Sequence, residues 1–401
     1  MQKLAFTVCS NNFLSYALSF ANSFRENNPD YTTVIGLADK KSPAIDYSRF
    51  APHIIVAMDE VGISNLSWMT GHYNIVELNT AVKPYFFAYL FRKFDAEHVL
   101  FFDPDIFVYD SVLTITRHFG ENDIVLTPHV IYPIPRDVYP WENHFLNHGL
   151  YNLGFIGLKN SANVQTLLKW WQERTAEHCF ANYRKGLYVD QLWANFIPLF
   201  FEKVCIVKDA ALNVAFWNLH ERSLSYTDDK HLVNDRPLIF FHFSAFNPRS
   251  PELLTKENHT NFDHRTNPGL IHLLQDYQQI LLKNNYDFFS RQPFAYSKEE
   301  QINSELQALT HRIGRAEMIL GFLRLRLINK ERLVDYFYQL FKDYMNYNNL
   351  HLKDINDDRY NSIEYANHMR ENIHLNLVKK VKVGFFTRLR MLRYSFKVFW
   401  K

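Results

Sequence analysis

Two carboxylates one residue apart, Asp103 and Asp105, follow the apolar run His98–Phe102 in the segment HVLFFDPDIFVYD. Hard divalent cations take carboxylate oxygens, and side chains at this spacing reach one ion directly or through water. Such an ion can bridge a pyrophosphate and neutralise a departing diphosphate. Pro104 fixes one backbone angle between the two acids, so less order is lost on binding. Asp-x-Asp is also common in solvated loops, so the strongly apolar strand ahead of it is what points to a site.

The elements around the pair follow from hydrophobic spacing. Lys3–Cys9, Thr33–Leu37, His53–Ala57 and His98–Phe102 read as short buried strands. Phe13–Arg25 and Thr80–Phe94 carry apolar residues at helical spacing. This alternation predicts an α/β fold around a mostly parallel sheet, with polar clusters just past the strand ends, where such sheets place ligands. Further on, Ile124–Leu126, Gly154–Leu158, Val204–Val207 and Leu238–Phe243 are strand candidates, Asn163–Glu177 is a helix, and the Pro-rich Tyr132–Trp141 is a loop. Past about Ser297 proline disappears and helical patterns dominate. A phosphatase of the haloacid dehalogenase type also uses Asp-x-Asp after a strand, but a Gly-Thr should follow closely, and here Ile106-Phe107 follows.

The chain has 401 residues, enough for one large and one small domain. Aromatic residues reach 16%, which favours a well-buried core over disorder. A formal net charge of +2 names no partner. The three cysteines, Cys9, Cys179 and Cys205, have no CxxC spacing, which argues against a disulfide framework or a zinc site built on thiolates and for a reducing compartment. The first residues do not read as a signal peptide, and no run of about 18 apolar residues suggests a membrane span. The expected location is therefore cytoplasmic.

The segments TAVKPYFFAYL, VLFFDPDIFVYD, YNLGFIGLK, YVDQLWANF and FFHFSAF occur in an order that resembles the GT-A-fold nucleotide-sugar glycosyltransferases. The similarity is to the retaining, glycogenin-like and lipopolysaccharide galactosyltransferase group, and to bacterial proteins in particular. It covers roughly residues 1–250. It implies a Rossmann-like GT-A domain, which the change of texture near residues 285–298 bounds at 1–288; 289–401 reads from its apolar spacing as a helical C-terminal region, and the resemblance does not extend to the final third. By position, Ser10, Asn11, Asn12 and Phe13 would bind the base and ribose of the donor, with Asp39 also facing the nucleoside. Lys83 would contact donor phosphate or sugar. Asp103, Asp105 and His242 would hold the metal, Mn²⁺ or Mg²⁺. Asn152 would touch the donor sugar, with Gly154 allowing close backbone approach. Asp190 and Gln191 would lie at the sugar's reactive face as the catalytic pair. Where the family often has Gly stands Ala245, and in place of a Lys soon after the His comes Asn247-Pro248-Arg249, so Arg249 is the candidate diphosphate clamp.

Each of these residues has a plainer role open to it. Lys83 on a helix could be a solvated charge, Asn152 a turn residue, Asp190 a helix cap, and His242 a core histidine between phenylalanines. No role follows for Trp217 and Asn218. The resemblance implies metal-dependent transfer of a sugar with retention, to a glycan or glycolipid acceptor, in surface polysaccharide or glycolipid assembly. The competing class is a non-catalytic, membrane-peripheral binding protein that keeps the fold.

The last segment, 378–401, has eight basic residues and no acidic ones. Phe385, Leu389, Leu392, Phe396, Phe399 and Trp400 share one helical face, and Arg390, Arg393, Lys397 and Lys401 the other. That pattern suits a helix lying on an anionic membrane surface, or one packed on its own domain with a basic outer face. Nucleic acid fits poorly, because the aromatics lie apart from the charges.

Overall fold

A computed structural model describes residues 2–138, 140–251 and 268–297. The apolar runs become strands β1 (Gln2–Cys9), β2 (Thr32–Leu37), β3 (Ile54–Ala57), β4 (Ala96–Phe102), β5 (Ile106–Val108), β6 (Ile124–Pro128) and β7 (Tyr151–Lys159). All but β5 join one seven-stranded sheet, in the order Val204–Ile206, β6, β7, β4, β1, β2, β3. Strands β4, β1, β2 and β3 run parallel, and β7 alone runs against its neighbours. The expected α/β fold with a mostly parallel sheet is the one observed.

Side chains leave a strand alternately to the two faces, and both faces are covered. From β1, Ala5 and Cys9 enter one core while Leu4, Phe6 and Val8 enter the other. From β4, Leu100 and Phe102 go one way, Val99 and Phe101 the other. The helix Leu14–Asn27 covers the first face; the helices Lys83–Phe94 and Ala162–His178 cover the second. Phe102 lies against the rings of Phe20, Phe24, Phe155 and Phe240. Burying such a ring contributes roughly 1.5–3 kcal/mol, so β4 is firmly anchored just before its two acids.

The helix expected over Thr80–Phe94 is two helices, Ile75–Ala81 and Lys83–Phe94. Val82 closes the first by donating to Leu78 O, and Pro84, which has no backbone N–H, can sit only in the first turn of the second. The strand expected over Leu238–Phe243 shortens to Phe240–His242, which pairs antiparallel with β5. A three-stranded sheet of Leu224–Thr227, Lys230–Val233 and Arg236–Pro237, and the helix Pro268–Lys283, come in addition to the expected elements. The first compact unit ends at Tyr296. The helical expectations for the last third, including the basic helix over 378–401, lie outside the described residues. Among the described residues no helix is long and apolar enough to cross a membrane, and the three cysteines are unpaired.

Candidate active site

Strand β4 ends at Phe102, and the Asp103 backbone N–H continues its ladder by donating to Gly154 O at 2.7 Å. A turn follows, closed by Ile106 N–H donating to Asp103 O, and β5 starts at once. Ile106 stands opposite His242 in the antiparallel pair, and Phe243 N–H donates to Asp105 O. Strand register therefore sets Asp105 beside His242. The imidazole Nε2 lies 3.2 Å from Asp105 Oδ1 and 3.8 Å from Asp103 Oδ2. The three side chains form a group that could hold one metal ion.

The donor set of two carboxylates and one imidazole suits Mn²⁺, which accepts both oxygen and nitrogen. The two acids are partly open to solvent, at 27% and 18%, which leaves coordination positions facing outward. A second feature fits the same purpose. A Cβ added to Gly154 would come within 2.5 Å of His242 Cε1, 2.7 Å of His242 Nδ1 and 2.5 Å of Asn152 Oδ1. The cradle that seats the imidazole exists because residue 154 has no side chain.

Behind the acids lies a buried cation. Lys83 Nζ is 3.3 Å from Asp103 Oδ1 and 3.2 Å from Asp190 Oδ2, donates to Leu153 O, and sits 4.5 Å from the centre of the Phe101 ring. Burial pulls its pKa down, but the charges of Asp103 and Asp190 outweigh this and leave it above the ordinary value. Asp190 is buried too. Its carboxyl is pushed up to about 6, chiefly by burial, with Lys83 opposing the rise. For His242, burial opposes protonation, yet the charges of Asp105 and Asp103 keep the imidazole above its ordinary value.

Three of the plainer roles fail on geometry. Asp190 precedes the 3₁₀ helix Gln191–Phe196 but makes no side-chain capping bond. Its direction is set by Val189, which stands at φ 42°, a left-handed conformation costly for a β-branched residue. Lys83, at the start of a helix, is not solvated but 4% exposed. Asn152 is a strand residue, not a turn residue. Its Oδ1 accepts from Gly154 N–H and Asn213 Nδ2, and its Nδ2 donates to His129 Nε2. Gln191 is held at both ends of its amide: Oε1 accepts from Leu153 N–H, and Nε2 donates to His148 O at 2.6 Å.

At the other end of the edge, Ala38 N–H donates to Cys9 O and ties the ends of β1 and β2 together. Asn11 donates to Asp39 Oδ2 and Lys40 O and accepts from Tyr47. Ser10 accepts from Asn79. Asp39 accepts from the backbone N–H groups of Asn11, Lys40 and Ala295, so protein donors already reach both of its oxygens. Burial nevertheless holds its pKa above the usual carboxylate value. The groups left for a ligand are Asn12, whose buried Oδ1 has no partner, and the Phe13 ring, which is 37% exposed and stacked on Tyr16. Arg249 is apart from the carboxylates and forms an exposed ion pair with Asp287.

The sequence alone gives no place to His129 and Asn213, and marks Asn218 and Trp217 without a role. Asn218 donates to His129 O and Asn213 O, and Asn213 in turn holds Asn152. Trp217 sets its ring edge-on to His242 at 5.3 Å. The available signal was position: His129 follows the apolar run of β6 just as Asp103 follows that of β4.

No family model matches the chain. Two proteins of Bacillus subtilis (strain 168) are similar in sequence. YfnF is 28% identical over 204 residues, covering 50% of this chain and 65% of its own length. YfnD is 25% identical over 249 residues, covering 60% and 76%. The chain thus spans less than two thirds of YfnF. Among solved structures, the galactosyltransferase LgtC, in complex with donor and acceptor sugar analogs, is similar at 16% identity and a TM-score of 0.39, covering 70% of this chain and 100% of that one. Glycosyltransferase GlyE of Streptococcus pneumoniae TIGR4 gives 11% and 0.41, covering 73% and 66%. Mouse xyloside xylosyltransferase 1 gives 11% and 0.38, covering 61% and 98%. These are distant likenesses.

Proposed function

We propose that the chain is a GT-A-type glycosyltransferase that moves a sugar from a nucleotide-diphosphate-sugar donor to a glycan or lipid-linked acceptor. Asp103, Asp105 and His242 would hold Mn²⁺ or Mg²⁺ against the donor diphosphate. The observation that carries this reading is the meeting of three metal-binding side chains from two distant segments at the C-terminal end of β4, the edge where open α/β sheets take ligands. When bound, the ion supplies positive charge opposite the departing diphosphate.

The chain's own residues do the rest. Lys83 neutralises Asp103 from behind and fixes its direction, and Asp190 keeps Lys83 in place. Gln191, tied to Leu153 and His148, holds the backbone of β7 beside the metal edge, and Asn152 shares that network. An amide and a carboxyl buried behind a lysine are poorly placed as covalent nucleophiles. Retention, which the family likeness implies, would then proceed by same-face attack of the acceptor hydroxyl and not by double displacement, with Asp190 and Gln191 shaping the field around an oxocarbenium-like sugar. Asn12 and Phe13 offer a polar atom and a ring face to the nucleoside. Arg249 would have to leave Asp287 to clamp the diphosphate. The basic run 378–401 would bring the enzyme to an anionic membrane surface, where lipid-linked acceptors of surface polysaccharide or glycolipid assembly lie.

A panel of nucleotide-sugars, read by release of nucleoside diphosphate with Mn²⁺ and with chelator, tests the reading. Metal-dependent release from one donor, cut about 100-fold or more in H242A, is expected. If no donor is turned over and no nucleoside diphosphate shifts the melting temperature, the competing class of a non-catalytic binding protein prevails.

A further inference from the structure

A second set of donors converges away from the carboxylate edge. His231 lies on the strand Lys230–Val233, while His272 and Asp276 lie one turn apart on the helix Pro268–Lys283. Residues four apart on a helix share a face. His231 Nε2 is 3.2 Å from Asp276 Oδ2, and His272 Nδ1 is 2.8 Å from the same oxygen. Tyr226, the cross-strand partner of His231, stacks flat on the His272 ring at 3.7 Å and fixes it.

Two observations separate this group from a surface ion pair. His272 Nδ1 is close to Asp276 but is buried and makes no aligned hydrogen bond, so this ring nitrogen lacks the partner that an ordinary histidine–carboxylate hydrogen bond would give it. Beside it, His231 Nδ1 and the Tyr109 hydroxyl are also buried without hydrogen-bond partners, and the Tyr109 ring stands edge-on to His231 at 5.0 Å. In a tetrahedral site with bonds of about 2.0–2.1 Å, neighbouring donors stand roughly 3.3 Å apart. The 3.2 Å pair already has that spacing, and the 2.8 Å pair needs only a small opening.

We propose that His231, His272 and Asp276 form a zinc(II) site that ties the hairpin Leu224–Val233 to the helix Pro268–Lys283. With imidazoles outnumbering carboxylates, this donor set suits zinc far better than Mg²⁺ or Ca²⁺, which prefer oxygen-rich shells. The side chains of His272 and Asp276 are 42% and 43% exposed, leaving a fourth position for water. The site is structural in effect. The next helix residue, Tyr277, stacks on Phe243 at 3.7 Å, directly beyond His242 in the chain. Zinc at this point therefore braces the residue that follows the catalytic metal's imidazole.

Chelator-stripped full-length chain, titrated with zinc chloride by calorimetry and by melting temperature, tests the site independently of any transferase activity. The variant D103N/D105N removes the other metal group from the measurement. It should keep one zinc equivalent, gain melting temperature with zinc, and ignore Mg²⁺. Adding H272Q, a half-exposed change, should weaken that binding about 100-fold or more. Zinc binding that is the same with and without H272Q, or no zinc bound by a folded D103N/D105N chain, would overturn the proposal.

Discussion

Gly154→Ala adds one methyl group beside His242, where the carboxylate edge has no room for it. The new Cβ would lie 2.5 Å from His242 Cε1 and 2.5 Å from Asn152 Oδ1. Ordinary contact begins about 1 Å further out. Neither neighbour can yield freely. His242 is backed by the Trp217 ring, and Asn152 is held by His129 and Asn213. Overpacking of this kind costs about 1–3 kcal/mol, a melting temperature lowered by several degrees. The larger effect is on position. The imidazole must shift by about 1 Å from its place beside Asp105, and a misplacement of that size costs about 100-fold in rate. Mn²⁺ affinity by calorimetry and donor turnover at saturating metal would separate the two effects. Weaker Mn²⁺ binding together with a modest loss of stability is expected. A G154A chain that binds Mn²⁺ as the parent does, and turns donor over at the same rate, would refute the claim that this glycine seats the metal's imidazole.

Three further outcomes follow from named residues. K83M leaves Asp190 buried and unpaired, at a cost of about 3–5 kcal/mol in urea unfolding; K83M/D190N should recover part of it, and no recovery would mean that the pair is not coupled. Burial depresses His53 and His98 to about 4 and His129 to about 3, against an ordinary 6.5. Each therefore contributes stability that is full above pH 6.5 and lost as pH falls toward 4 and below, while Asp190, raised to about 6, pulls the other way over part of that window. His144 is likewise depressed to about 4, and these four imidazoles outweigh Asp190, Asp39 and His242, whose raised values act in the opposite sense, so the melting temperature should fall from pH 6.5 to 4; a flat profile would contradict this, and H98Q should make the slope shallower. Ala245 stands at φ 59°, so A245G should stabilise the chain by about 1 kcal/mol in denaturant unfolding, and a loss would show that the strain is absent.

Strands β1 to β4 were legible because each is a short, mostly apolar run buried on both faces. Strand β5 was not: it has three residues and begins straight after a turn, too short to show a period. Its pairing with Phe240–His242 spans more than a hundred residues of chain, and that pairing is what brings His242 to Asp105. The metal group was therefore reachable only through family likeness, since spacing alone yields just the two acids. The same holds for Lys83. A lysine at a helix start reads as solvated, and it is buried because Phe101 and Asp103 at the end of β4 and Asp190 from a distant segment close around it. Asn213 gave no local signal and Asn218 stood out without a role, because what both do is hold other polar groups. Arg249 was singled out for its place after His242, and it pairs with Asp287 on the surface.

Calorimetric titration of Mn²⁺ in the presence of a nucleoside diphosphate, comparing the parent chain with D103N/D105N, tests the central claim most directly. Tight binding of the ion and diphosphate together by the parent, lost in the doubly substituted chain while its melting temperature stays close to the parent's, is the expected result. Equal binding of the ion by both chains would place the metal elsewhere and remove the basis for the transfer chemistry.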